Sequence, residues 1–300
     1  MSLTAIVLGS AAGGGFPQWN CRCPVCKLAW AGDRRVRPRT QASLAVSGNG
    51  EDWVLINASP DLSEQIRRVP ALRPRGGTRA SPIKALLLTG AEIDQVAGLL
   101  SLREREPFML CATASTLSVI EDNNVFAVLA PELVRRQVIT TGQPCELPGN
   151  LQGELFAVPG KAPLFLEGEN PETASETAGT AGVELCAGGA RLAYVPGAAA
   201  VTAEMRERLA RADVVFFDGT LFSDDEMIAT KTGSKSGRRM GHMPIDGIGG
   251  SLGALEGLRA RRIYVHINNT NPILVEGSPE RDYVTSKGWE VAEDDLEVSL

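Results

Sequence analysis

The sequence predicts an α/β fold in which two sheets are enclosed by helices. Three observations carry the prediction: seven short apolar or β-branched runs, amphipathic segments between them, and a concentration of strand-like runs early and again in the middle of the chain. The 300 residues, 43% of them hydrophobic, suffice for a real core. Without an internal repeat or a hinge-like stretch, residues 1–300 read as one domain.

Taken in order, "TAIVLGS" is the first strand, because no basic segment precedes it as a secretory signal would require. The glycines of "GSAAGGGFPQWN" match neither G-x-G-x-x-G nor a lysine-bearing phosphate loop, so they predict a tight irregular turn. "QASLAVSG" and "DWVLINA" follow as strands, then a helix over "PDLSEQIRRV" with Ser59 as its N-cap and Pro60 at its first position. "IKALLLT" is the next strand. The acidic, Thr/Ala/Gly-rich stretch "EGENPETASETAGTAG", residues 167–182, predicts a mobile loop. "ARLAYVPG", the helix "TAEMRERLARA", "DVVFFDG" and "RRIYVHI" complete the alternation.

A net charge of −6 argues against nucleic acid as a partner, since phosphate neutralisation needs clustered basic surface. No run approaches a membrane span, so a cytoplasmic protein is expected. Of six cysteines, Cys111, Cys145 and Cys186 are scattered and read as structural thiols. Cys21, Cys23 and Cys26 crowd one loop, about residues 20–27. Three thiolates there can reach one Zn²⁺, which needs a fourth donor, a His, Asp or Asn from a distant loop.

Only two histidines, His242 and His266, are present, so a dinuclear zinc hydrolase with four or five imidazoles cannot be built in the ordinary way. His266 and Asp218 each end an apolar strand, and Asp94 lies just beyond a third. Converging strand ends would make one mononuclear site, oxygen-rich enough to suit Fe²⁺ or manganese; the alternative is a set of hydrogen-bonded or helix-capping side chains. His242 follows "KTGSKSGRRMG", where Lys231, Lys235, Arg238 and Arg239 form either a solvated loop or a lid bringing positive charge and an acid/base imidazole to an anionic substrate. Arg37 and Arg39 are candidate carboxylate clamps.

Together these motifs resemble the PqqB family of pyrroloquinoline quinone (PQQ) biosynthesis proteins, in the metallo-β-lactamase superfamily. The resemblance runs through "LGSAAGGGFPQWNCRCPVCKLAWAGDRRVRPRTQ", "LINASPDL", "GLLSLRE", "VPGKAPLFLE", "FDGTLF", "RRMGHM" and "VHINNTNPIL". It implies an αββα sandwich, a structural Zn²⁺ on the cysteine cluster and, by position, Asn269 as the fourth zinc donor. The superfamily signature H-x-H-x-D-H falls on Gly90, Glu92, Asp94 and Gln95, so the aspartate is kept while the final histidine is a glutamine.

The resemblance further implies a mononuclear Fe²⁺ held by Asp94, Asp218 and His266 with Gln95 as a marginal fourth ligand. That iron would serve an O₂-dependent hydroxylase acting on the tyrosine of a Glu-Tyr-derived PQQ precursor. Implied partners are a small anionic amino-acid or quinone precursor, PQQ, other proteins of the pathway and a second copy in a homodimer. The competing expectation is a non-catalytic carrier of PQQ or its precursor, weakened as a catalyst by Gln95. Glu92 is either a compensating carboxylate or a solvent-facing first-turn residue.

Overall fold

A computed structural model describes residues 2–166 and 179–300. Strands β1 (Thr4–Gly9), β2 (Ser43–Ser47), β3 (Trp53–Ile56), β4 (Ile83–Leu87), β5 (Phe108–Ala112) and β6 (Val134–Val138) build one sheet. β7 (Cys145–Leu147), β8 (Leu151–Ala157), β9 (Ala181–Ala187), β10 (Ala190–Val195), β11 (Val214–Asp218), β12 (Arg261–Val265) and β13 (Trp289–Val291) build the other. The last strand, β14 (Glu297–Ser299), returns to the first sheet and pairs with β1. Each sheet is antiparallel on one side and parallel on the other: β3 to β6 run parallel, as do β10 to β13.

Side-chain alternation sorts the layers. Val214 and Phe216 of β11 face the opposite sheet and meet Leu44, Val46, Ile56 and Leu87, while Val215 and Phe217 face the outer helices. Outside the first sheet pack Leu62, Leu72, Val96 and Leu117; outside the second pack Met205, Leu209, Leu252 and Val284. The result is the expected α/β sandwich of two sheets between helices. All seven strands read from the sequence are present.

Two expectations change. The helix expected from Pro60 begins at Leu62, with Asp61 at its N-cap making no side-chain cap bond, because Asp61 Oδ2 accepts from the backbone N and Nε2 of Gln41. Ser59 instead donates to Gln65 Oε1 inside the protein. Of the expected loop 167–182, residues 167–178 lie outside the described residues, and Ala181 and Gly182 already belong to β9. Helix Ala203–Leu209 begins as read, with Thr202 accepting from Met205 N. No described helix is long and apolar enough to cross a membrane.

Candidate metal centre

Asp218 is the last residue of β11 and His266 follows β12, so two parallel neighbours deliver both side chains at their carboxyl ends. His266 adopts a left-handed backbone with φ 55°, unusual for a side chain of this size, while the flanking Ile267 N–H is anchored on Ser10 O. Asp94 comes from the opposite sheet. It sits in the short helix Ile93–Val96 beyond β4, and its Oδ2 lies 3.0 Å from His266 Nε2. His242 arrives on the turn after Arg238–Met240, released by Gly241 at φ 85°, and stacks on His266 with ring centroids 5.2 Å apart.

His242 Nδ1 is 2.7 Å from Asp218 Oδ2, and ligand atoms of Asp218, His242 and His266 all lie within 4.8 Å of one another. Ligands about 2.1 Å from an ion and at right angles to one another stand about 3 Å apart. The contacts at His242–Asp218 and His266–Asp94 therefore have the length of the edges of a coordination polyhedron. Two imidazoles with one carboxylate form the donor set of non-haem iron sites, and Asp94 is poised as a second carboxylate. His242, expected as an acid/base, thus joins the ligand group.

Thr220 organises this group. Its hydroxyl donates to Asp218 Oδ1 at 2.6 Å and lies 2.9 Å from His266 Nδ1 and 3.1 Å from His242 Nδ1. A hydroxyl has one proton, so once it is given to Asp218 the oxygen accepts from a ring N–H. Acceptance from His266 Nδ1 leaves Nε2 facing Asp94 with its lone pair available. The Ala198 N–H donates to Asp218 Oδ2, completing the carboxylate's shell. "FDGT" carries this threonine two residues after the aspartate, a signal the sequence reading left unused.

Electrostatics bind the group together. Burial opposes ionisation of Asp94, but the hydrogen bond and charge of His266 outweigh it and hold the carboxyl below its ordinary value. Asp218 is buried too, yet the charge and hydrogen bond of His242 keep it low. Burial works against a charged His266, and the bond to Asp94 with the charges of Asp94, Asp218 and Glu92 still raises it.

Asp94, Thr220, His242 and His266 open on a cleft of about 460 Å³ lined also by Glu92, Gln95, Lys161, Lys235 and Asn268, with Asp218 buried behind them. Gln95 lines it without entering the ligand group: its Oε1 accepts the Glu92 N–H at 3.1 Å in a capping box, and a Cβ on Gly90 would stand 2.6 Å from that oxygen. Glu92 caps the same helix and pairs with Lys161 Nζ at 3.2 Å, so it is more than a solvent-facing first-turn residue. Lys161 was not singled out in the sequence; only its place in "VPGKAP", beside the cleft-lining Gly160, marks it.

The basic residues divide. Lys235 reaches the cleft. Arg238 turns to the carbonyls of Ile248 and Gly249, and Arg239 is not among the lining residues. Arg37 and Arg39 do not act there as clamps: Arg37 pairs with Glu293 at 3.0 Å, and Arg39 is buried with Glu293 at 3.7 Å. Their carboxylates are already supplied by the chain's own C-terminal segment.

The cysteine loop forms a second centre. The sulfurs of Cys21, Cys23 and Cys26 lie within 4.8 Å of one another at the start of the helix Pro24–Trp30. Asn269 closes the group, with Nδ2 at 3.1 Å from Cys21 Sγ and 3.3 Å from Cys26 Sγ, and its backbone oxygen at 3.5 Å from Cys23 Sγ. An amide nitrogen has no lone pair to give a metal. An ion here would take the Asn269 carbonyl oxygen, or Oδ1 after a half-turn of the amide. Cys111, Cys145 and Cys186 carry free thiols elsewhere; burial pushes Cys111 up to about 12, as suits an inert thiol.

Comparison with known proteins agrees with this fold. Residues 52–267 match the beta-lactamase superfamily domain. The chain is 54% identical to a coenzyme PQQ synthesis protein B of Methylobacterium nodulans, over 99% of this chain and 100% of that one. It is 56% identical to another, of Methylobacterium sp., over 99% and 100%. The crystal structure of Zn²⁺-bound PqqB from Methylobacterium extorquens superimposes with a TM-score of 0.97 at 52% identity, covering 99% of this chain and 100% of that one. Two metal-capable centres on a two-sheet sandwich, matched end to end at this identity, show that the chain belongs to the coenzyme PQQ synthesis protein B family of the beta-lactamase superfamily.

Proposed function

We propose that the protein is an iron- and O₂-dependent hydroxylase acting in PQQ synthesis on the tyrosine moiety of a Glu-Tyr-derived precursor. The observation that carries this reading is the grouping of Asp218, His242 and His266 within 4.8 Å, with both imidazoles lining a cleft. Fe²⁺ held there would supply oxygen activation. Placing one oxygen atom in a ring C–H sends the other to water, and a two-electron reductant completes the balance.

The chain's own residues do the rest. Thr220 orients His266 through Nδ1, which leaves Nε2, beside Asp94, as the nitrogen that would hold the ion. Lys235 contributes positive charge toward an anionic substrate. Zn²⁺ is assigned to Cys21, Cys23, Cys26 and an Asn269 oxygen, supported by the thiolate donor set and by the zinc-bound relative. An ion so held would pin the segment that follows His266.

A second reading, a non-catalytic carrier of PQQ or its precursor, is favoured by the commitment of Gln95 Oε1 to the helix cap. Anaerobic loading with Fe²⁺ followed by a Glu-Tyr-containing peptide, a reductant and ¹⁸O₂ separates the two. The hydroxylase reading expects one ¹⁸O in the tyrosine ring. Stoichiometric iron with PQQ binding and no labelled product supports the carrier instead.

A further inference from the structure

Lys161 is held from three sides at the cleft wall. Its ammonium meets Glu92 Oε1 at 3.2 Å and the Ala162 carbonyl at 3.4 Å, its own carbonyl accepts from Thr180 Oγ1 at 3.2 Å, and its stem lies against the turn that delivers His242. A Cβ on Gly241 would stand 3.1 Å from Lys161 Cγ, so this left-handed glycine leaves the room the stem occupies. The side chain is only 12% exposed and still lines the cleft that His242, His266 and Asp94 line. Lysine loses much rotamer freedom when fixed, so a charge already fixed is pre-organised for a ligand.

Position sharpens the chemistry. Glu92 stands where the superfamily signature has a histidine, so the cleft has an ammonium paired to a carboxylate at that point in the sequence. The charge of Glu92 also reaches His266. An anionic group entering the cleft beside the ligand group meets a cation on this wall and a second at Lys235.

We propose that Lys161 is a substrate-anchoring residue, its ammonium receiving a carboxylate of an aromatic polycarboxylate bound over the Asp218–His242–His266 group, with Glu92 holding that ammonium in place. This rests on the reading of the cleft as the substrate site. Loss of one carboxylate–ammonium hydrogen bond weakens binding about 10- to 100-fold.

Equilibrium dialysis of the full-length protein with PQQ, a tricarboxylate, tests the assignment. Lys161→Met is expected to weaken PQQ binding about 10- to 100-fold, with Lys161→Arg losing less and Glu92→Gln, whose amide oxygen still accepts from the ammonium while the competing negative charge is gone, binding at least as tightly as the wild type. PQQ trimethyl ester, which lacks the charged oxygens, is expected to bind wild type and Lys161→Met alike. Because Lys161→Met leaves Glu92 without this partner and could unsettle the fold, the double variant Glu92→Gln/Lys161→Met, which removes both charges, is measured beside it and is expected to bind as weakly. Wild-type binding by the double variant, or a loss in Glu92→Gln as large as in Lys161→Met, overturns the role of Lys161. Failure of the wild type to bind PQQ overturns the cleft reading itself, and the proposal with it.

Discussion

His266 Nε2 lies 3.0 Å from Asp94 Oδ2, joining the ends of the two sheets through residues 172 positions apart. Thr220 makes the second contact to the same ring, its hydroxyl 2.9 Å from His266 Nδ1. The Asp94–His266 pair closes the candidate metal centre from the side of the first sheet, and its two facing atoms are ones an ion there could take.

Thr220→Val removes the hydroxyl that fixes His266 while keeping the side-chain volume. Removing an outer partner of a metal-ligating histidine typically costs 10- to 100-fold in affinity. We expect Fe²⁺ affinity to fall by about that factor, with the secondary structure unchanged by circular dichroism. An unchanged affinity would remove Thr220 from the centre.

Much of this was legible in the residues. Asp218 ends a short apolar run and His266 and Asp94 lie just beyond two others, so their place at strand ends could be read directly. His242 could not be placed that way: it lies on an irregular turn whose path depends on Gly241 and on a backbone bond from Met243 to Ala198. Half of the strands also went unread. β6, "VRRQV", is an edge strand with arginines and a glutamine, and β8, "LQGELFA", interrupts its apolar face with Gly153. Arg37 and Arg39 misled because Glu293, their partner, lies more than 250 residues along the chain.

Gln95→His restores the imidazole of the superfamily signature but takes the acceptor from the Glu92 N–H. Loss of that cap costs about 1 kcal/mol. The expected variant unfolds at lower denaturant than the wild type and binds Fe²⁺ more tightly. Tighter iron with no change in product yield would show that ligand count does not limit the reaction.

Glu226 is buried beneath the segment after His266, accepting from Thr270 Oγ1 and from the Phe222 N–H. Burial raises its carboxyl from the ordinary 4.5 to about 7. Between those values the unfolded chain releases the proton while the folded one keeps it, so stability falls as pH rises through that window, by about 3 kcal/mol in all. Glu226→Gln is expected to flatten this fall in urea unfolding followed from pH 4.5 to 8. A slope identical to the wild type would place the pH dependence elsewhere.

Cys26→Ser removes one of three thiolates at the cysteine centre, and the remaining donors hold zinc poorly. Metal analysis by mass spectrometry should show about one zinc per chain falling to nearly none, with a lower thermal midpoint because binding energy at such sites is folding energy. Asn269→Ala, which keeps the backbone oxygen, should retain more zinc than Cys26→Ser. Equal loss in both would make the side-chain amide indispensable.

The most direct test of the account is the iron content of the wild type, His242→Ala and His266→Ala after anaerobic loading with Fe²⁺ and removal of loosely held metal. The account predicts about one iron per chain in the wild type and little in either variant, with the zinc content of all three alike. Iron retained in full by both variants would contradict it, because the centre built on Asp218, His242 and His266 would then not be where the iron sits.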